Sequence, residues 1–164
     1  MKKFVKLFGW SLLIALVVLQ FFQPERNETD AYSGHRITDA YKLTDDVQEV
    51  LDVSCNDCHS NNTRPQFYMN IQPVGMWVMD HVEEGKEELN FDEFGAYTLR
   101  RQYHKLEEII EMVEEGEMPL SSYTLMHGDA SLTDEKKKIL VDWAGGLMDT
   151  LEAHYPMDSL VSKQ

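Results

Sequence analysis

The sequence predicts an all-α fold, and two observations support this prediction. From Thr44 onward, apolar residues recur at intervals of three and four, which is the spacing of amphipathic helices. No stretch of useful length alternates between apolar and polar residues, as a half-buried strand would. The chain has 164 residues, so we expect one helical domain of modest size beyond the N-terminal segment.

The N-terminal segment, residues 1–24, has the pattern of an export signal. Lys2, Lys3 and Lys6 precede an uncharged stretch over residues 7–23. No small-residue cleavage site follows, so we predict an uncleaved single-pass anchor in the inner membrane, slightly shorter than the usual span of about twenty residues. The lysines would keep the N-terminus in the cytoplasm and place the domain in the periplasm. The alternative is a cleaved signal peptide and a protein secreted to the periplasm.

Residues 25–41 mix charged and small polar side chains and show no apolar period, so we predict that they form a tether. The domain itself is expected to cover residues 42–153. Residues 154–164 are expected to form a C-terminal tail.

The first helix of the domain is expected to follow Thr44, a residue type that caps helices. Val47, Val50 and Leu51 form one apolar stripe, which leads directly into Cys55. This helix would therefore deliver the segment that begins at Cys55 to the core.

The middle of the domain predicts further helices. One can begin at Pro73 and run to Gly85, where the glycine predicts a stop. A short segment is expected over residues 91–97. The clearest helical period runs over residues 99–113, and Gly116 is expected to end that helix.

The last long helix is expected to begin near Thr133, with an apolar stripe that includes Leu140 and Leu147. Gly145 and Gly146 interrupt this stripe, and each costs about 1 kcal/mol relative to alanine in a helix. These glycines would therefore end the helix or allow another backbone to come close.

One pentapeptide, Cys55-Asn56-Asp57-Cys58-His59, has the C-x-x-C-H pattern that attaches a c-type haem. The two thiols can add across the two vinyl groups of one porphyrin, and the histidine then faces the iron. We therefore predict one covalent haem c, with Cys55 and Cys58 forming the thioethers and His59 as the proximal ligand.

Three other interpretations of the two cysteines fit the sequence less well. A structural zinc site would need four ligands, but the chain has only these cysteines and no later H-x-x-x-H pair. A thioredoxin-like motif lies in a βαβ fold, which the pattern does not predict. A disulfide would close too small a loop to stabilise much.

The charge of the chain limits its partners. The formal net charge is −14, and residues 1–26 hold four of the 15 basic side chains but one of the 29 acidic ones. The net charge of residues 27–164 is therefore more negative than that of the whole chain. This excludes nucleic acid as a partner, because phosphates require a basic surface. It favours a redox partner protein with a basic docking surface, although solubility alone would also explain the charge.

The order of elements resembles the small single-haem cytochrome c fold, in which the first and last helices cross at one edge of the haem. Residues 47–51 and 140–147 match those crossing surfaces. In cytochromes c a proline carbonyl after the motif accepts the second ring N–H of the proximal histidine. The resemblance implies this role for Pro65.

The chain is more closely similar to the bacterial haem-binding domain family of short membrane-anchored proteins with one C-x-x-C-H. The similarity covers roughly residues 40–147 and implies a haem cofactor without a known reaction. The matching elements are Cys55–Asn61, Asn70–Val74, Asp80–Val82 with Gly85, Leu89–Phe91, Gly116–Pro119 with Tyr123 and His127, and Leu132–Thr133 with Trp143.

The sixth iron position decides the function. Met118 follows the predicted helix end and precedes Pro119, which would make the loop rigid, and the cytochrome c resemblance places its ligand here. Met118 is the predicted distal ligand. His127 is the strongest competitor, followed by His81 and Met126.

An electron carrier keeps both axial positions filled, whereas a sensor or a peroxidase leaves one open. We therefore expect a non-enzymatic electron carrier. A haem-based sensor or peroxidase-like protein is the alternative. A thiol-redox module without haem is the third interpretation.

Overall fold

The computed structural model describes residues 1–29 and 31–161. Over these residues the regular secondary structure is helical, apart from one isolated antiparallel bridge between Glu28 and Asn62. The predicted all-α class is therefore confirmed. The α-helices are α1 (Lys2–Leu19), α2 (Ile37–Ala40), α3 (Asp45–Ser54), α4 (Asn56–His59), α5 (Val74–Glu88), α6 (Leu99–Glu115), α7 (Ser121–Met126), α8 (Asp134–His154) and α9 (Met157–Leu160), and short 3₁₀ helices cover Phe67–Asn70, Phe94–Ala96 and Gly128–Ala130.

The core lies where α3 and α6 pack against α8. Leu51, Leu106 and Leu140, one from each of these helices, are almost completely buried in a single apolar cluster. Burying a leucine in this way stabilises the fold by about 1.5–3 kcal/mol. The predicted contact between residues 47–51 and residues 140–147 is present, because α3 packs on α8.

Two helices have the ends that the sequence predicts. The Thr98 hydroxyl accepts the Arg101 amide at the start of α6, and Gly116 ends this helix with a left-handed φ of 76°. Only glycine adopts that conformation without strain, which is why the helix ends there. At the start of α8 the Thr133 hydroxyl accepts the Lys136 amide.

The prediction for α5 is wrong at its C-terminal end, because the helix continues through Gly85 to Glu88. A Cβ atom placed on Gly85 would lie 3.0 Å from the Cys58 carbonyl oxygen. The glycine is therefore needed for the close approach of α4 to α5.

The helix α8 continues through Gly145 and Gly146 to His154. A Cβ atom at either glycine would meet nothing within 4 Å. Neither expected role of these glycines, a helix end or a close backbone approach, is found.

Two segments expected to lie outside the domain contribute to it. Within the predicted tether, Ile37 is 3 % exposed in the core, and Asn27 donates to the Ser60 carbonyl. Within the predicted tail, Leu160 is 1 % exposed and joins the same cluster. Apolar side chains are buried wherever the chain path brings them to the core, so even short segments without a helical period can be recruited.

The N-terminal helix α1 has no buried residue. Its C-terminal end is attached to the domain by two hydrogen bonds of 2.9 Å between Gln20 and the backbone of Gln72. No helix in the described part of the chain is long and apolar enough to cross a membrane.

Candidate cofactor site

The C-x-x-C-H segment lies at the junction of α3 and α4. Cys55 ends α3 by donating its amide to the Leu51 carbonyl at 2.9 Å. Its own carbonyl accepts the amides of Cys58 and His59 at 3.1 and 3.0 Å. The segment is therefore a single tight helical turn, which holds the two thiols and the imidazole on one short piece of backbone.

The imidazole of His59 is fixed by two backbone carbonyls. Its Nδ1 lies 2.9 Å from the Gly85 oxygen and 2.9 Å from the Leu89 oxygen. Because carbonyl oxygens only accept, Nδ1 carries the proton and Nε2 is the nitrogen that can bind a metal. The partner inferred for this ring, Pro65, is wrong, because the C-terminal end of α5 supplies the acceptors instead.

Burial lowers the pKa of His59, and the nearby Lys105 charge lowers it further, although the two carbonyls oppose this shift. The ring is therefore neutral near pH 7. Neutral imidazole is the form that binds metals.

A cavity of about 280 Å³ contacts both ends of the segment, and we call it the first cavity. Its volume lies just below the range of roughly 300–1,000 Å³ that ligand pockets occupy. Cys55, His59 and Met118 line it, so the structure places three of the predicted site residues around one space. The other lining residues are Leu51, Ser54, Glu88, Leu89, Phe91, Lys105, Glu108, Ile109, Glu111, Met112, Val113, Pro119, Leu132 and Leu140.

A second cavity, of about 360 Å³, lies beside Cys58. It is also mostly apolar. Its other lining residues are Asp57, Thr63, Phe67, Tyr68, Met69, Val74, Trp77, Val78, His81, Val82, Leu120, Ser122, Tyr123 and Met126. The two cysteines of the segment therefore face two adjacent apolar spaces.

Both thiols are free and protonated. Burial, with a smaller effect of Cys58, raises the pKa of Cys55 to about 12. Burial and the Asp57 carboxylate raise the pKa of Cys58 to about 11. Redox-active C-x-x-C pairs have a lowered thiol pKa, so this environment argues against the thiol-redox interpretation.

A family model described as a haem-binding domain matches residues 14–145. The chain belongs to the haem-binding domain family. The match extends from α1 into α8 and includes the whole C-x-x-C-H segment, and it supports haem as the cofactor. No curated protein and no solved structure matches the chain.

The residues of this haem-binding domain fit a haem. The lining surface of the first cavity is mostly apolar, as an apolar macrocycle requires, and the cavity presents a neutral imidazole whose orientation is fixed. A thioether, that of Met118, lines the same cavity. Imidazole and thioether are both established haem-iron ligands.

The backbone of Met118 is attached to the end of α6. Its amide donates to the Met112 carbonyl at 3.2 Å, next to the Glu117 amide, which donates to the same carbonyl at 3.0 Å. The left-handed turn at Gly116 directs the chain into this position. The helix end predicted from sequence is therefore what brings Met118 to the first cavity.

The three competing ligands lie elsewhere. The Nε2 atom of His127 forms a 2.6 Å hydrogen bond with the Tyr68 hydroxyl, and His127 does not line the first cavity. His81 and Met126 line the second cavity. Of the four candidates, only Met118 lines the cavity that His59 lines.

Asp57, the second variable residue of the C-x-x-C-H motif, lies in an ionic network. The sequence does not reveal this network. Asp57 is buried, and its carboxylate accepts two side-chain hydrogen bonds from Arg64, at 2.9 and 3.0 Å, and one from the Tyr123 hydroxyl at 2.7 Å. Tyr123 also stacks on His127, with ring centroids 4.4 Å apart. The network therefore joins the C-x-x-C-H turn to α7, which begins shortly after Met118.

Proposed function

We propose that this haem-binding domain is a c-type electron carrier that holds one covalent haem between His59 and Met118. One observation carries the proposal: Cys55, the fixed imidazole of His59 and Met118 line a single apolar cavity. When bound, the haem would supply a one-electron iron couple. The chain supplies the ligands, their orientation and an apolar surrounding.

Each residue has a separate role in this proposal. Cys55 and Cys58 would form the two thioether bonds to the vinyl groups of the porphyrin. His59 offers Nε2 because Gly85 and Leu89 hold its Nδ1–H. Hydrogen bonding of this kind also raises the basicity of an imidazole ligand. Met118 would fill the sixth position, which leaves no open site for substrate.

The optical spectrum of protein matured in a haem-ligating host tests the proposal. Covalent haem should remain on the chain through denaturing electrophoresis at one equivalent per chain. Substitution of both cysteines, Cys55→Ala with Cys58→Ala, should abolish the covalent haem. Haem that washes out of the unchanged protein would contradict c-type attachment.

Met118→Ala tests the distal ligand. We expect loss of the near-infrared sulfur-to-iron band of the oxidised protein and binding of carbon monoxide by the reduced protein. Met112→Ala is the matched control, because Met112 is a second methionine that lines the same cavity. A band that survives Met118→Ala but is lost in His127→Ala would transfer the ligand assignment to His127.

A haem-based sensor or peroxidase-like protein is the alternative function, and one observation favours it. Met118 is 36 % exposed, so its side chain is not fixed by complete burial in the core. A ligand that is easily displaced would open the sixth position. Rapid carbon monoxide binding by the unchanged reduced protein would support this alternative over electron transfer.

We also propose export, because c-type haem is attached outside the inner membrane. Lys2, Lys3 and Lys6 followed by the apolar remainder of α1 support an export signal. A reporter fused after residue 40 should be active in the periplasm. Fractionation then separates membrane retention from release after cleavage.

The acidic surface supports a basic redox partner. Electron transfer to such a partner should slow as ionic strength rises, because salt screens the attraction between the two proteins. A rate that does not change with salt would contradict electrostatic docking.

A further inference from the structure

Lys105 is an unusual residue in the wall of the first cavity. Lysine is rarely buried unless its charge is paired, yet the side chain of Lys105 is only 11 % exposed. Its Nζ lies 2.6 Å from a Glu108 carboxylate oxygen and 3.1 Å from a Glu88 carboxylate oxygen. All three side chains line the cavity that His59 lines.

The charge of Lys105 acts within this cavity. Burial by itself would lower the pKa of Lys105, but the hydrogen bonds and charges of Glu108 and Glu88 outweigh burial, and the pKa is raised. The side chain therefore stays positive over the working pH range.

We propose that Lys105 and Glu108 set the reduction potential of the bound haem through their opposite charges. This inference rests on the proposed function, since it requires the haem to occupy the first cavity. Both residues would act on the iron couple through their electric field and not as iron ligands.

The physical reason is the charge that oxidation creates. When ferrous haem gives one electron to an electrode or a partner protein, no bond breaks and the haem gains one positive charge. A fixed cation nearby destabilises the ferric form and raises the potential, whereas a carboxylate lowers it. The Lys105 side chain is 11 % exposed and the Glu108 side chain 36 % exposed, so water screens these charges less than those of a fully exposed pair.

Two substitutions should therefore move the potential in opposite directions. Lys105→Gln removes the cation and leaves two carboxylates, so we expect a lower potential. Glu108→Gln removes one carboxylate and should raise it. For each we expect at least a tenfold change in the equilibrium between ferric and ferrous protein, which is 59 mV for one electron.

The matched control is an exposed ion pair on α8, formed by Lys138 and Asp142, whose side chains are 73 % and 63 % exposed. Lys138→Gln and Asp142→Asn change the same charges where water screens them, so their potentials should remain close to that of the unchanged protein. Each potential is measured by spectroelectrochemical titration of the haem-loaded protein.

The opposite signs separate electrostatics from damage. If the substitutions merely loosened the cavity, both would expose the haem to water and move the potential in the same direction. Equal signs, or changes no larger than those of the control pair, would overturn the proposal. If Lys105→Gln does not mature, the Glu108→Gln result decides alone: an increase supports the proposal and no increase refutes it. Failure of the proposed function is recognised separately, because the unchanged protein would then carry no covalent haem.

Discussion

Tyr123→Phe tests whether the network around Asp57 stabilises the domain. The substitution removes one hydroxyl and keeps the ring, so the stacking of residue 123 on His127 is retained. The lost hydroxyl donates to the Asp57 carboxylate at 2.7 Å and lies 3.1 Å from an Arg64 nitrogen. Arg64 keeps its own bonds to Asp57.

The expected cost follows from the type of bond. A hydrogen bond to a charged group contributes about 1.5–3 kcal/mol. The Arg64 side chain is 46 % exposed, so Arg64 and nearby water can still stabilise the charge of the Asp57 carboxylate after the hydroxyl is lost. We therefore expect a loss near the lower end, about 1.5 kcal/mol in the free energy of unfolding. For a protein of this size each kcal/mol lowers the melting temperature by about 2–4 °C.

The assay is urea unfolding of the haem-loaded protein, followed by circular dichroism and by the haem absorbance. Tyr155→Phe is the control, because Tyr155 is partly exposed and its hydroxyl makes no hydrogen bond with the described residues. If Tyr123→Phe changes the unfolding free energy no more than this control, the network does not stabilise the fold. A loss that appears in circular dichroism but leaves the haem spectrum unchanged would mean that α7 does not hold the Met118 segment.

Three further substitutions test the packing. Gly85→Ala should destabilise the domain by about 1–3 kcal/mol and reduce haem incorporation, because the new Cβ would meet the Cys58 backbone at 3.0 Å; unchanged yield and stability would contradict this close approach. Gly146→Ala should instead stabilise α8 by about 0.5–1 kcal/mol, since the site is helical and nothing lies within 4 Å of the new Cβ; thermal melting distinguishes the two signs. Leu140→Ala should cost about 2–5 kcal/mol, because this side chain is 1 % exposed in the core, and a denaturant midpoint within the error of the unchanged protein would refute that placement.

Local sequence patterns were sufficient to predict several helices of this haem-binding domain and their ends. The spacing of Val47, Val50 and Leu51 predicts α3, and the end of α6 at Gly116 follows from glycine's access to left-handed φ. These features depend on residues within one or two helical turns. The family and its cofactor could be recognised because the C-x-x-C-H turn and the elements that follow it are also continuous in sequence.

Contacts across the chain could not be predicted in this way. The acceptors for His59 are the carbonyls of Gly85 and Leu89, and because every residue has a carbonyl, no side-chain pattern distinguishes these two. Gly85 has the sequence signature of a helix stop, yet a neighbouring backbone gives it another role. The burial of Ile37 likewise depends on where the preceding chain runs.

The amino-acid sequence by itself determined the helical class, the boundaries set by local capping, and a short set of chemically suitable iron ligands. Only the tertiary structure decided which of those ligands shares a cavity with His59, because Met118 and His127 lie in the same loop and both suit iron. It also decided that Lys105 is buried beside Glu88 and Glu108. The physical reason is that ligand chemistry belongs to a single residue, whereas proximity and burial depend on the path of the whole chain.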